Sequence, residues 1–265
     1  PPPPLPPGDG PPDYSPYPPP CSCANKTLCQ PIQSPAYGSR KEVTAVIVTG
    51  GDAYFQSWAV EAIDQRYIDW SVTTTIIYLG TDDHLVTSNL TCDAHARGVR
   101  IVVCTPGFMG GAPGNLRQLA NATERHRFIE YWKVYLDSQG IDGILPDIEG
   151  FEGGNASSPN WYSNATLTAF MKEIKRAIGP SRVLMFPIQV NWWDVRDNQG
   201  GGQDYSALAA ATDALFLMAY DETWLWQPQY TNTSTFTGVE VRPFTHSGMD
   251  ALRNFLHLAT DPSTD

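Results

Sequence analysis

Ile141-Asp142-Gly143-Ile144-Leu145-Pro146-Asp147-Ile148-Glu149 is an apolar run that turns acidic at its end. Read as a strand over Gly143–Glu149, it projects Asp147 and Glu149 to the same side, about 7 Å apart along the chain at ~3.3 Å per residue. Two carboxylates on the inner face of an apolar strand are costly unless paired or used. Neighbouring carboxylates raise one another's pKa, which suits a neutral acid that must donate a proton. The plainer alternative is two hydrogen-bonded acids at a strand end.

On either side of this run, strand and helix patterns alternate. Val43–Val48, Val72–Leu79 and Arg100–Cys104 are β-branched or apolar runs, each followed closely by glycine or proline. Phe128, Ile129, Trp132, Tyr135 and Leu136 mark one helix face, stopped at Gly140. Leu167, Phe170, Met171, Ile174 and Ile178 mark the next, closed by Gly179-Pro180. Arg182–Val190 and Ala214–Tyr220 are the fifth and sixth strands, with a short alanine-rich helix between them. A last helix pattern, Met249, Leu252, Phe255 and Leu256, ends before Pro262. Strands alternating with helices imply parallel pairing, because each return crosses over through a helix. A doubly wound sheet and a β/α barrel both fit this order. The polar residues sit at the carboxyl ends of strands four to six, the face on which barrels build active sites.

Those ends carry Gln189-Val190-Asn191-Trp192-Trp193 on the fifth strand and Leu217-Met218-Ala219-Tyr220-Asp221 on the sixth. Trp192, Trp193, Trp224 and Trp226 offer flat faces for sugar rings; any one alone suits a core better than a ligand, but together they suggest a carbohydrate site.

Composition narrows the classes. The chain has 265 residues and a net charge of −11, from 17 Lys plus Arg against 28 Asp plus Glu. That balance repels phosphate backbones and anionic membranes, so a nucleic-acid partner is not expected. No apolar run reaches the ~18 residues of a membrane helix. Six Asn-x-Ser/Thr sequons, at Asn25, Asn89, Asn121, Asn155, Asn164 and Asn232, point to the secretory route and to N-glycosylation. The chain opens on Pro1, so any signal peptide is expected to be removed or to lie outside it. Of five cysteines, Cys21, Cys23 and Cys29 cluster early, while Cys92 and Cys104 lie in the body. Disulfides with one cysteine left over suit this pattern better than zinc, and the pairing stays open. A secreted, extracellular or lysosomal glycoprotein is expected.

Twelve of the first twenty residues are proline, so 1–20 should be an extended polyproline II tail. That tail is a linker or a tie to an extracellular assembly. A cysteine-containing lead-in then occupies 21–41 and a β/α barrel 42–265. No Gly-x-Ser-x-Gly elbow or His-Glu-x-x-His occurs, and the five histidines show no metal-ligand spacing.

Asp142-Gly143-x-x-x-Asp147-x-Glu149 resembles the signature of family 18 glycoside hydrolases, and Met218-x-Tyr220-Asp221 resembles that family's sixth-strand motif. Cys21-Ser22-Cys23, Leu28-Cys29-Gln30-Pro31-Ile32 and Cys92-Asp93-Ala94-His95 are similar to its chitobiase branch. The likeness runs from about Cys21 to Leu258. It implies an α/β fold of the (β/α)8 TIM-barrel type, and hydrolysis of β-1,4-linked N-acetylglucosamine with retention, the substrate's own N-acetyl group replacing a protein nucleophile. Carried over by residue, Glu149 would be the general acid and then base. Asp147 would hold the acetamido group, and Tyr220 would bond its carbonyl oxygen. Asp142, supporting the strand end, would join Asp221, Gln189, Asn191 and Trp192 as substrate-binding residues. The resemblance calls for no metal or cofactor.

The chain departs from that pattern. Leu145 stands where the family usually has Asp or Asn, and Leu cannot share a proton with Asp147. Pro146 removes a backbone donor inside what reads as a central strand. About six βα units are present, so the barrel is apparently incomplete, and a longer chain supplying the last strands is expected. A catalytically weak or inactive relative, structural or glycan-binding within an extracellular assembly, is therefore the alternative function.

Overall fold

The computed structural model describes residues 20–32, 41–49, 68–80, 86, 88–105, 119, 121–148, 163–189 and 204–218. Six strands form one sheet in the order β1-β2-β3-β4-β5-β6. They are β1 Thr44–Thr49, β2 Thr75–Gly80, β3 Arg100–Thr105, β4 Gly143–Pro146, β5 Val183–Gln189 and β6 Ala214–Met218. Every neighbouring pair is parallel, with Val46 opposite Ile77, Ile77 opposite Val102 and Cys104 opposite Leu145.

Among the described residues four helices return the chain between strands: α1 Ser88–Ala96, α2 Ala122–Gln139, α3 Asn164–Ile178 and α4 Tyr205–Ala211. Their buried residues share one core with Ile76, Tyr78, Ile101, Val103, Ile144, Leu184 and Phe186 from one face of the sheet. The opposite face carries its own cluster of Ile77, Val102, Cys104, Leu145, Val183 and Met185. Consecutive strand order with every described helix on one face curls the sheet into part of a barrel. A doubly wound sheet would reverse its order midway and carry helices on both faces. The second cluster is thus the lumen of a six-strand half-barrel, and Val46, on the edge strand β1, is 48% exposed.

Helices α2 and α3 form where the apolar spacing predicts them. Phe128, Ile129, Trp132, Tyr135 and Leu136 are all buried on α2, each large side chain contributing about 1.5–3 kcal/mol on leaving water. Asn121 Oδ1 accepts the Thr123 N–H at the start of α2, and Gly140 ends it at φ 69°, a left-handed conformation in which glycine carries no Cβ penalty. Ser163 caps α3 through the Thr166 N–H, and Asp204 caps α4 through the Ala207 N–H.

Three elements differ from the sequence reading. Helix α1 carries no strong apolar stripe, and part of its buried face is Thr91 and His95 beside Leu90 and Ala94. The second strand starts at Thr75 rather than Val72, because Asp69 holds the preceding residues in a turn: its carboxylate accepts the Ser71 N–H and its carbonyl the Thr73 N–H. The fourth strand stops at Pro146 rather than Glu149. Its ladder to β5 already ends at Ile144 opposite Leu184, so the N–H missing at Pro146 interrupts no pairing on that side.

Cys23–Cys92 staples the lead-in to α1, Cys21–Cys29 closes a small loop within the lead-in, and Cys104 is the remaining, buried thiol. The 3-10 turn Lys26–Cys29 lies against α1, and the Cys21 N–H donates to the Ser138 carbonyl near the end of α2. A Cβ on Gly140 would collide with the Cys29 backbone carbonyl. Residues 1–19 of the proline-rich segment lie outside the described residues, as does the last helix pattern.

Candidate active site

Asp147 is the first residue past β4, at the carboxyl end of the sheet, and is 5% exposed. Leu145 before it belongs to the lumen cluster and Ile148 after it to the outer one. The Ile148 N–H donates to the Pro146 carbonyl at 3.0 Å, a three-residue turn centred on Asp147. The straight strand expected to carry Asp147 and Glu149 at about 7 Å spacing therefore bends at its first acid. On β3 the neighbour of Pro146 is Thr105, and the neighbour of Leu145 is Cys104, which lines the lumen with it. Gln189 closes β5 opposite Met218, the last residue of β6. Glu149, Tyr220, Asp221, Asn191 and Trp192 lie outside the described residues, as do Asn155 and Asn232 of the sequons.

Asp142 is placed elsewhere. It precedes β4, at the amino end of the sheet, separated from Asp147 by the whole length of that strand. Its carboxylate is 2% exposed as a residue and accepts three N–H donors: Ile32 N on Oδ1 at 2.7 Å, and His95 Nε2 and Ile101 N on Oδ2, both at 2.8 Å. These three bonds tie the amino end of β4 to the lead-in, α1 and β3.

His95 completes that anchor; the sequence marks it only within the Cys92-Asp93-Ala94-His95 likeness, with no role attached. Its Nδ1 lies 2.7 Å from the Leu28 carbonyl and its Nε2 faces Asp142. Both nitrogens face oxygen atoms that accept hydrogen bonds, an arrangement that favours the doubly protonated ring. Burial opposes that charge, but the hydrogen bond and charge of Asp142, with the Leu28 carbonyl, outweigh it and hold the His95 pKa above its ordinary value. The spacing Cys92-x-x-His95 on one helix face was the available signal, because it sets a disulfide and a histidine against the same lead-in.

The three sulfurs of Cys21, Cys23 and Cys29 lie within 4.8 Å of one another, but each is committed to a disulfide and none is a thiolate ligand. No helix among the described residues is long and apolar enough to cross a membrane.

No family model matches the chain. Single proteins do. The di-N-acetylchitobiase of Bos taurus is 30% identical over 154 residues, which cover 58% of this chain and 70% of that protein. The chain belongs to the di-N-acetylchitobiase group of family 18 glycoside hydrolases. The Mus musculus di-N-acetylchitobiase is likewise 30% identical, over 76% of this chain and 47% of its own length. The chain thus spans about half the length of the mouse and rat relatives. Among solved structures, the chitinase RmChi1 from Rhizomucor miehei superposes with a TM-score of 0.51 at 19% identity, over 71% of this chain and 61% of that one. Catalytic domain 2 of the Ostrinia furnacalis Group II chitinase gives 0.50 at 18% identity, over 70% and 52%. YKL-39, solved in the presence of chitooligosaccharides, gives 0.50 at 13% identity, over 72% and 54%. These likenesses establish the barrel fold for this family member, with six of its strands among the described residues.

Proposed function

We propose that this chain is a secreted or lysosomal chitobiase-like hydrolase that cleaves β-1,4-linked N-acetylglucosamine by a retaining, substrate-assisted mechanism. Glu149 protonates the glycosidic oxygen and afterwards deprotonates the attacking water. Asp147 orients the acetamido group and stabilises the positive charge of the oxazolinium intermediate, and Tyr220 donates to the acetamido carbonyl. Gln189, Asn191, Trp192 and Asp221 hold the sugar, and N-linked glycans occupy the sequons. The observation that carries this reading is Asp147, a carboxylate buried just past β4 in a chain related to di-N-acetylchitobiases. An acid held out of water there is well placed to meet a developing cation. Glu149→Gln should abolish release of N-acetylglucosamine while leaving oligosaccharide binding intact; turnover unchanged in that variant would overturn the reading.

One observation favours a second reading, a weakly active or inactive relative that binds glycans within an extracellular assembly. Leu145, where the family motif carries Asp or Asn, is packed in the lumen among Val102, Cys104 and Met185. An apolar side chain there offers Asp147 no proton to share. Turnover of chitobiose by the native chain at a rate typical of enzymes, about 1–1000 per second, would exclude it.

A further inference from the structure

Four cysteines meet where the lead-in lies on α1. Cys21 pairs with Cys29 and Cys23 with Cys92, yet the sulfurs of the two bonds are not kept apart. Cys21 Sγ lies 3.5 Å from Cys23 Sγ, and the sulfurs of Cys21, Cys23 and Cys29 all lie within 4.8 Å of one another. Sulfurs that close are already in van der Waals contact, so a thiolate formed at Cys23 needs little movement to attack Cys21.

The four differ in access. Cys21, Cys23 and Cys29 are buried, whereas Cys92 is half-buried on α1. A thiolate from solution therefore enters at Cys92. The chain's remaining thiol, Cys104, lines the lumen on the face of the sheet opposite α1, so it does not supply that attacker.

We propose that this cluster is a thiol-exchange site, at which a small thiol entering at Cys92 moves the attachment of the lead-in from Cys23 to Cys29. In the first step the thiolate bonds Cys92 Sγ, the Cys23–Cys92 bond breaks, and its electron pair leaves on Cys23. The Cys23 thiolate is poorly held in a buried apolar cluster. It attacks Cys21 Sγ, forming Cys21–Cys23 and expelling the Cys29 thiolate. Cys29 ends the turn that lies against α1. It attacks Cys92 Sγ in turn, forming Cys29–Cys92 and returning the small thiol as its thiolate. The small thiol is thus a catalyst, and no oxidant or reductant is consumed.

The exchange changes what a protease can release. Lys26 is exposed in the turn Lys26–Cys29 and is the first Lys or Arg of the chain. In the resting pairing a cut after Lys26 frees nothing, because Cys21 and Cys23 stay bonded to Cys29 and Cys92 across the cut. After exchange, residues 1–26 carry only their internal Cys21–Cys23 bond, and the same cut frees them with the whole proline-rich segment. The site is a latch on that segment, opened by a thiol and a protease together.

The test uses the full native chain. It is incubated with glutathione at concentrations too low to reduce both disulfides, and its free thiols are then alkylated. Glycans are removed, and trypsin digestion and mass spectrometry follow without reduction. Residues 1–26 should appear unlinked, with an internal Cys21–Cys23 bond and no alkylated cysteine, in step with a Cys29–Cys92 pair. Without glutathione they should stay joined to the peptides of Cys29 and Cys92. Cys92→Ser reproduces the first step by taking away the partner of Cys23, and should form Cys21–Cys23 with Cys29 alkylated when no thiol is added. Residues 1–26 linked at every glutathione concentration, or freed only with both cysteines alkylated, would overturn the exchange. So would a Cys92→Ser chain in which Cys23 alone is alkylated in the cluster.

Discussion

His95 Nε2 lies 2.8 Å from Asp142 Oδ2 at the amino end of the half-barrel, with Nδ1 held by the Leu28 carbonyl. The pair joins α1, the start of β4 and the lead-in at one buried point. Its folded pKa is raised above 6.5. Below about pH 6.5 the ring is charged in both the folded and the unfolded chain, and the pair contributes in full. As pH rises through the folded value the ring loses its proton and the contribution is lost. Thermal unfolding should therefore show Tm falling from acid to alkaline pH more steeply in the native chain than in His95→Gln. Parallel profiles for the two proteins would refute the assignment.

Asp142→Ala removes the acceptor of three buried donors and leaves His95 Nε2 without its partner. Loss of one partner from a buried pair costs about 3–5 kcal/mol. Urea denaturation should show a loss of that order, and a loss below about 1 kcal/mol, the scale of an exposed pair, would mean that the site is not buried in solution.

The two disulfides should differ in weight. Cys21–Cys29 closes a separation of 8 residues and Cys23–Cys92 one of 69. Loop-closure entropy assigns them about 2.5 and about 4.4 kcal/mol. Replacing Cys23 and Cys92 together by serine should lower the unfolding free energy more than replacing Cys21 and Cys29 together. The reverse order would show that the lead-in is held chiefly by its own small loop.

Gly140→Ala should loosen the lead-in. The left-handed backbone at φ 69° costs a residue with a Cβ about 1–2 kcal/mol, and the new methyl strikes the Cys29 carbonyl. Trypsin should then cut at Lys26, in the exposed turn, faster than in the native protein. An unchanged cleavage rate would show that the lead-in does not rest on this cap.

Leu145→Asn should exchange stability for activity. Removing a buried leucine from the lumen cluster costs roughly 2–5 kcal/mol. The amide it introduces offers Asp147 the partner the family motif normally supplies. Turnover of chitobiose should rise while Tm falls; a fall in both would show that Leu145 is part of this chain's working site.

Local patterns were legible without coordinates. The α2 stripe from Phe128 to Leu136, its stop at Gly140, the α3 stripe and the six strand cores all follow from period, caps and breakers, which act within a few residues. So did the oxidised cysteines with one left over and the kinship carried by the Asp142-Gly143 and Asp147 motif. The boundaries of β2 and β4 were less legible, because the Asp69 turn and the Asp147 turn compete with strand pairing over single hydrogen bonds.

Long-range approach decided the rest. Alternating strands and helices suit either a doubly wound sheet or a barrel; only the consecutive strand order and one-sided helices settle it. Cys23 pairs with Cys92 because α1 lies against the lead-in, a contact between segments 69 residues apart. Asp142 and Asp147 look equivalent in one acidic motif, yet β4 carries them to opposite ends of the sheet. One accepts donors from the lead-in, α1 and β3, while the other is buried at the mouth. Sequence sets which side chains a strand carries and how they alternate, whereas which end of that strand meets solvent, disulfide or lumen depends on everything packed around it.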